Sequence, residues 1–98
     1  MSQRYKRSEE MLERALKSIP LGSQTFSKSK TQYPLGVSPY FIKRGEGSRV
    51  WDIDGNEYID FINSLAAITL GYNDPDVTSA VRGQLDDGII FSLPHPIE

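Results

Sequence analysis

Apolar residues recur at helical spacing in two stretches of the chain. From Ser8 to Ile19 they fall at i, i+3, i+4 and i+7, which is one face of an amphipathic helix. Ser8 is a good N-cap, and Pro20-Leu21-Gly22 is placed to end this helix. A second helix is predicted from Asp74 as N-cap, with Pro75 in the first turn and Gly88 as the stop. The apolar stripe of the second helix consists of Val77, Ala80, Val81 and Leu85.

Between these helices the apolar pattern changes to that of strands. In the stretch RVWDIDGNEYIDF, residues 49–61, two runs rich in β-branched and aromatic residues flank Asp54-Gly55-Asn56. These three residues tolerate the positive φ that a tight reversal needs. Upstream, Tyr40 to Lys43 favours another strand, followed by a turn at Gly45-Glu46-Gly47. The pattern therefore predicts a three-stranded antiparallel meander over residues 39–61.

Two further segments are compatible with more than one structure. The polar stretch SQTFSKSKTQYPLG, residues 23–36, is either a mobile linker or a loop that presents Lys28 or Lys30, with several hydroxyls, to an anion. Leu65 to Leu70 is a nearly continuous apolar run, and it fits either a buried strand or a buried coil segment.

Composition narrows the class of protein. Ninety-eight residues suit one small domain, and a hydrophobic fraction of 38% is low for a chain that folds alone. A net charge of -2 argues against nucleic acid or an acidic membrane as partner. With no cysteine and one histidine, no disulfide framework or histidine metal cluster is expected. No apolar run is long enough to span a bilayer, and the first residues lack a signal-peptide core, so a cytoplasmic protein is expected.

Catalytic groups are sparse in the sequence. His95 lies between two prolines and is interpreted as a loop residue. Gly45 to Ser48 does not fit a phosphate-binding loop, because no helix is predicted after it. Four carboxylates are interpreted as surface charges or turn formers rather than an acid/base pair: Asp52, Asp54, Glu57 and Asp60. On these grounds the chain is a small α+β module with no catalytic residue of its own.

The meander and the start of the second helix nevertheless resemble a known family. FIKRGEGSRVWDIDGNEYIDF, followed by LGYNDPDVTSAV, is similar to the N-terminal segment of class III aminotransferases, and most of all to the glutamate-1-semialdehyde aminomutase-like subgroup. The family pattern is G-x-G-x-x-[LV]-W-D-x-D-G-x-x-Y-[IL]-D, then L-G-H/Y and D/H-P-x-V. The matching residues are Gly45, Gly47, Val50, Trp51, Asp52, Asp54, Gly55, Tyr58, Ile59, Asp60, Leu70, Gly71, Pro75 and Val77.

The resemblance implies an α+β fragment of the α/β fold of pyridoxal 5'-phosphate (PLP) enzymes, the aspartate-aminotransferase-like fold. Residues 1–98 would form the N-terminal segment of the small domain and run into the start of the large domain. The implied enzyme is a homodimeric PLP-dependent aminotransferase or aminomutase. Its partners would be a small-molecule amino donor and an amino-acid-like or sugar-linked carbonyl acceptor. The Schiff-base lysine of the family lies downstream, so the segment alone is expected to be inactive.

The resemblance also implies a substrate-side loop at residues 23–36. A count from Pro20 puts Lys28 where the aminomutases have an arginine for the substrate carboxylate, although Lys30 is an alternative, and Thr25 lies in the same loop. After the meander, Ser64 is followed by Leu65 where an aromatic residue is common, which implies a wider substrate pocket. No residue is assigned to the cofactor or to a metal. The competing hypothesis is a stand-alone binding module that uses SQTFSKSKTQ.

Overall fold

A three-stranded sheet flanked by helices organises the chain, and the computed structural model describes residues 3–98 of it. The sheet has the order β1-β2-β3, and all its neighbours are antiparallel. The strands are β1 (Ile42–Glu46), β2 (Arg49–Asp52) and β3 (Glu57–Ile59), and the helices are α1 (Lys6–Leu16), α2 (Asn63–Ala66) and α3 (Pro75–Asp87). Between α1 and β1 lie three single 3-10 turns at Pro20–Gly22, Phe26–Lys28 and Lys30–Gln32.

The N-terminus of the first helix is capped by a residue of the β2–β3 loop and not by a residue next to the helix in the chain. The prediction that Ser8 is the N-cap is wrong, because α1 begins at Lys6 and Ser8 lies inside it, fully buried. The hydroxyl of Ser8 instead accepts a hydrogen bond from the backbone N–H of Tyr40, at 3.2 Å. The carboxylate of Asp54, in the β2–β3 loop, accepts from the N–H groups of Arg7 and Ser8. A distant acidic side chain therefore satisfies N–H groups that a helix start leaves without partners.

The predicted meander is confirmed, but its first turn is displaced along the chain. Gly45 and Glu46 belong to β1, so the reversal falls at Gly47 and Ser48. In β1, Ile42 faces Asp52 and Arg44 faces Trp51, so β1 holds one extra residue, a β-bulge at Lys43. Along β2 and β3, Val50 pairs with Tyr58. The β1–β2 turn lies beside a later segment, since Gly47 forms an isolated backbone bridge with Tyr72.

Asp52 holds the β2–β3 loop together from a buried position. Its carboxylate accepts hydrogen bonds from the N–H groups of Asp54 and Asn56, the Asn56 side chain and the Tyr58 hydroxyl, at 2.8–3.0 Å. Burial alone would raise the pKa of Asp52, but these hydrogen bonds outweigh it and lower the pKa below its ordinary value of 3.8. Of the two interpretations of this residue, surface charge or turn former, the first is wrong, because Asp52 is only 1% exposed, and its hydrogen bonds within the loop agree with the second.

The two ambiguous segments have different outcomes. The 23–36 loop contains two 3-10 turns around Ser29, which is fully buried and lies 2.6 Å from the Thr31 hydroxyl. The run from Leu65 to Leu70 begins in α2 and continues as irregular backbone. Leu65 and Leu70 are 48% and 71% exposed, so the expectation that this run is buried is wrong within residues 3–98.

The second predicted helix is confirmed with its caps. Asp74 accepts hydrogen bonds from the N–H groups of Asp76 and Val77, both at 3.1 Å, and α3 ends before Gly88. Its apolar stripe remains largely uncovered: Leu85, for example, is 56% exposed. Among the described residues only two apolar side chains are buried, those of Tyr5 and Val50. None of the helices in this part of the chain has the length and apolar content to cross a membrane.

Candidate functional site

The short helix α2 is wound in the left-handed sense. Its four residues have positive φ angles of 55°, 53°, 58° and 71°, from Asn63 through Ser64 and Leu65 to Ala66. The left-handed region costs a non-glycine residue about 1–2 kcal/mol, and successive residues rarely share it. Such strain is kept where surrounding contacts enforce it, and it clusters at functional sites. We therefore take this left-handed turn, residues 63–66, as the centre of the candidate site.

Asp60 supports the start of the left-handed turn. One oxygen of its carboxylate accepts hydrogen bonds from the N–H groups of Ile62, at 2.7 Å, and Asn63, at 3.3 Å. The other oxygen accepts a hydrogen bond from the hydroxyl of Tyr72. Burial would raise the pKa of Asp60, but the Tyr72 hydroxyl and the N–H groups of residues 62–64 outweigh it and lower that pKa. Asp60 is thus held as a carboxylate with both oxygens in use.

Tyr72 supports the far side of the same segment. Its backbone exchanges two hydrogen bonds with Gly47, at 2.8 and 2.9 Å, so residue 72 is fixed to the β1–β2 turn. Its ring lies over Gly45, where a Cβ atom would come within 2.6 Å of the ring carbon Cγ. Burial and the neighbouring Asp60 carboxylate raise the pKa of Tyr72 to about 12, so its hydroxyl remains a donor. The strained turn is consequently closed between two anchored residues, 60 and 72.

The four residues proposed for the substrate side fall into two pairs. Ser64, half-buried, and Leu65, exposed, are adjacent in the left-handed turn, and Ser64 does not end β3, because β3 stops at Ile59. Thr25 precedes the 3-10 turn Phe26–Lys28, and the N–H of Lys28, its last residue, bonds to the Thr25 carbonyl oxygen at 3.3 Å. Within residues 3–98 no hydrogen bond connects one pair to the other. Within this part of the chain, hydrogen bonds therefore do not join the two pairs into one site.

Sequence reasoning did not identify Asp60 and Tyr72 as supports of the site. Asp60 was grouped with the surface charges or turn formers, and it does cap a turn. Tyr72 occupies the H/Y position of the family pattern and received no role. One signal in the sequence could have identified the pair. Asp60 comes just after a predicted strand, and Tyr72, which follows Gly71, lies twelve positions later. This spacing does not by itself predict the contact, because Asp60 and Tyr72 meet only in the folded meander.

The described residues do not by themselves fit PLP. The cofactor needs an enclosed lysine for its aldehyde and donors for its phosphate. The lysines lie on α1, in the 17–36 segment and on β1, and none of them is buried: Lys6, Lys17, Lys28, Lys30 and Lys43. Within residues 3–98, no cluster of histidine and carboxylate side chains could hold a metal ion. Within residues 3–98 there is therefore no enclosed lysine that could hold the aldehyde of PLP.

Comparisons with known proteins agree with this geometry. The family model described as aminotransferase class-III matches residues 32–97. A curated relative, glutamate-1-semialdehyde 2,1-aminomutase 2 of Exiguobacterium sp. (strain ATCC BAA-1283 / AT1b), is 42% identical over 98 residues, which is 100% of this chain and 22% of the relative. The chain thus spans about a fifth of the length of the relatives it matches.

Two solved structures show the same arrangement. A glutamate-1-semialdehyde aminomutase from Pseudomonas aeruginosa PAO1 has a TM-score of 0.81 and 28% identity, over 95% of this chain and 20% of that one. A transaminase with PLP bound has a TM-score of 0.81 and 27% identity, over 98% of this chain and 22% of that one. The likeness therefore extends over nearly the whole described fold.

Proposed function

This chain belongs to the class III aminotransferase family, and we propose that it is the N-terminal part of a PLP-dependent aminotransferase or aminomutase. The helix, meander and second helix form part of the larger fold of such enzymes, as the sequence predicts. The observation that carries the proposal is the 42% identity over all 98 residues to an aminomutase several times longer. In this proposal residues 1–98 belong to the small domain and run into the start of the large one.

In the proposed enzyme the rest of the polypeptide supplies the Schiff-base lysine and the phosphate-binding groups. PLP, when bound, acts as the electron sink for reactions at an amino-bearing carbon. The exposed or half-exposed positions of all five lysines of the segment support this division of labour. The residues of this chain would bind and orient substrate at the edge of the active site.

The left-handed turn is the part of the segment that we assign to the substrate. Its strained backbone holds Ser64 and Leu65 as neighbours, and among residues 3–98 neither side chain has a hydrogen-bond or ring partner. Leucine is smaller and rounder than the aromatic residues, so a wall formed by Leu65 leaves room for a bulkier molecule. This favours an amino-acid-like or sugar-linked carbonyl compound as acceptor, with a small-molecule amino donor.

The 23–36 loop is the second substrate-side element that we propose. Lys28 is exposed, while Lys30 is half-buried, so Lys28 is the freer of the two to reach a carboxylate. An ammonium group acts as a point charge and lacks the two-pronged geometry of arginine. A lysine contact would hold a substrate carboxylate less directionally, which favours transamination of varied substrates over a dedicated aminomutase reaction.

We also propose that the full-length enzyme is a cytoplasmic homodimer. The support within this chain is its uncovered apolar surface, which includes the stripe of α3 and residues such as Ile90, Leu93 and Ile97, which are 69–88% exposed. A surface of this kind is covered by further protein when the molecule assembles. The same observation weighs against a stand-alone binding module, since two buried apolar side chains make a poor core.

The visible absorption spectrum of the purified full-length protein tests the proposed function. We expect a yellow protein with an absorption band that borohydride bleaches, since a lysine-bound PLP is reduced by it. A colourless protein that stays colourless after incubation with PLP would refute the proposal. A cooperative thermal transition of the 98-residue chain on its own would instead support the binding module.

A further inference from the structure

The left-handed turn lies inside a loop whose two ends are joined. Asp60 and Tyr72 bracket residues 61–71, and the bond from the Tyr72 hydroxyl to the Asp60 carboxylate closes that loop. The same carboxylate also accepts from the N–H groups of Ile62 and Asn63, which lead directly into the turn. Any movement of Asp60 is therefore transmitted to the first backbone atoms of the turn.

Both ends of the loop are themselves fixed to the β1–β2 turn. The N–H of Asp60 donates to the carbonyl oxygen of Ser48 at 2.9 Å, and Tyr72 exchanges two backbone hydrogen bonds with Gly47. Gly45 and Gly71 leave the space for this approach, because a Cβ at Gly71 would lie 3.1 Å from the Gly47 carbonyl oxygen. The sheet thus provides a rigid base for the loop.

Within the turn itself the hydrogen bonds are few. The N–H of Ala66 bonds to Ile62 at 3.1 Å, that of Ala67 to Ser64 at 3.3 Å, and that of Ile68 to Asn63 at 2.9 Å. Packing covers the two central residues only in part, since Leu65 is 48% exposed and Ser64 is half-buried. A strained backbone with little packing relaxes when its external support is removed. The Asp60–Tyr72 pair adds support from outside these backbone bonds, because Asp60 accepts from the N–H groups of Ile62 and Asn63 and from the Tyr72 hydroxyl.

We propose that Asp60 and Tyr72 are positioning residues that hold the left-handed turn and thereby fix the placement of Ser64 and Leu65 towards the substrate. The placement of those two side chains rests on the function proposed above, whereas the support of the turn rests on the contacts alone. Loss of the pair should weaken substrate binding and leave the cofactor-binding groups, which lie elsewhere in the enzyme, in place.

A matched pair of variants in the full-length protein tests this inference. Tyr72→Phe removes the hydroxyl that bonds to Asp60, and Tyr58→Phe removes a hydroxyl that bonds to a different aspartate, Asp52. Both variants make the same chemical change at a tyrosine that bonds to an aspartate, but only the first affects Asp60, which supports the left-handed turn. Hydrogen exchange of the amides of residues 62–66 reports on the turn without any assay of activity.

We expect Tyr72→Phe to speed exchange of these amides by about tenfold or more, because a hydrogen bond to a charged group is lost. Tyr58→Phe should leave exchange at residues 62–66 unchanged. With glutamate 1-semialdehyde as the probe substrate, Tyr72→Phe should raise KM several-fold, change kcat less, and leave the cofactor absorption band as it is. Tyr58→Phe should leave KM unchanged.

Unchanged exchange at residues 62–66 in Tyr72→Phe would overturn the inference, as would an equal increase in both variants. If Tyr72→Phe does not fold, Asp60→Asn replaces it, since an asparagine keeps one oxygen for Ile62 and Asn63 and loses the charge. Unchanged exchange in Asp60→Asn would then overturn the inference in the same way. A protein that never binds PLP would refute the proposed function, yet the exchange measurement would still decide whether the pair holds the turn.

Discussion

The carboxylate of Asp54 accepts a hydrogen bond from the backbone N–H of Ser8 at 3.0 Å, across 46 positions of the chain. Its other oxygen accepts from Arg7 at 2.7 Å, so a residue of the β2–β3 loop caps the first helix. A helix start with several unpaired N–H groups and a partial positive charge is a favourable place for a carboxylate. The helix and the meander are therefore one unit, joined by this contact and by the bond from Tyr40 to Ser8.

Removal of this cap should destabilise the segment measurably. We expect Asp54→Ala in the full-length protein to lower the free energy of unfolding by about 1 kcal/mol, in the range found for N-cap substitutions. Asp54→Asn keeps one acceptor oxygen and should cost less. Urea unfolding gives the free energies, and faster amide exchange at Arg7 and Ser8 would show where the loss occurs. Equal stability of Asp54→Ala and the unmodified protein would contradict the capping role.

Asp52 should make stability depend on acid. Burial would raise its pKa, but the bonds from Asn56, Tyr58 and the Asp54 N–H outweigh burial, so the folded pKa lies below the ordinary value of 3.8. A carboxyl whose pKa is lowered by folding contributes stability above its unfolded pKa, and that contribution is lost as the pH falls through the folded pKa. Stability should therefore decline below about pH 4.

The difference between the unmodified protein and Asp52→Asn isolates this contribution. At pH 7 the variant should lose about 1.5–3 kcal/mol, the range for hydrogen bonds to a charged group, and the gap should narrow as the pH falls towards 3. Glu57→Gln is the matched control, because Glu57 forms an exposed pair with Arg49 at 3.1 Å and should change stability little. A gap that stays constant from pH 7 to pH 3 would show that the Asp52 charge does not stabilise the fold.

Position 45 should require glycine because the side chain of Tyr72 leaves no room for a Cβ atom, and not because of its backbone conformation. A Cβ at this position would lie 2.6–2.9 Å from three atoms of Tyr72, so Gly45→Ala should lower the free energy of unfolding by about 1–3 kcal/mol, as overpacking does. Gly83→Ala is the control, since nothing lies within 4 Å of that position in α3, and it should gain about 1 kcal/mol.

A double variant separates the clash from other effects of Gly45→Ala. If the clash with Tyr72 is the cause, Gly45→Ala should cost much less in a Tyr72→Ala background, and the two changes should be non-additive. Strictly additive free energies would assign the cost to the strand itself.

Lys28 should affect substrate binding and not the cofactor. In the full-length enzyme we expect Lys28→Ala to raise KM for a carboxylate substrate about tenfold or more, since a charged contact is lost, while the PLP absorption band stays unchanged. Lys30→Ala is the matched control in the same loop and should leave KM as it is. The reverse result would assign the contact to Lys30, and unchanged KM in both variants would remove the 23–36 loop from the substrate site.

The elements whose signal is local could be predicted from the sequence. Asp74, Pro75 and Gly88 mark the ends of α3 through contacts within a few residues, and the structure has those ends. The meander followed from alternating β-branched residues around Gly55, whose φ of +91° the reversal requires. These patterns predict the ends of a helix and a reversal of the chain from residues a few positions apart, so the rest of the fold is not needed.

The elements that depend on contacts between residues far apart in the sequence could not be predicted from it. Ser8 is a residue type that often forms N-caps, but Asp54, 46 positions later, accepts the hydrogen bond from its N–H. The helix α1 therefore begins at Lys6 and not after Ser8. No sequence pattern marks Asn63 to Ala66 as left-handed, because part of the support for that conformation is the contact between Asp60 and Tyr72, twelve positions apart. The candidate site is thus the part of the molecule that sequence patterns describe least.

The edges of the sheet limit how the protein can associate. On the outer strand β1, the bulge at Lys43 and the charged Arg44 and Glu46 interrupt the regular row of backbone groups that another chain could pair with. The opposite edge, β3, is three residues long and begins with Glu57. Aggregation by pairing of edge strands between two copies is therefore disfavoured. Partner molecules must contact the faces of the sheet and not its strand edges.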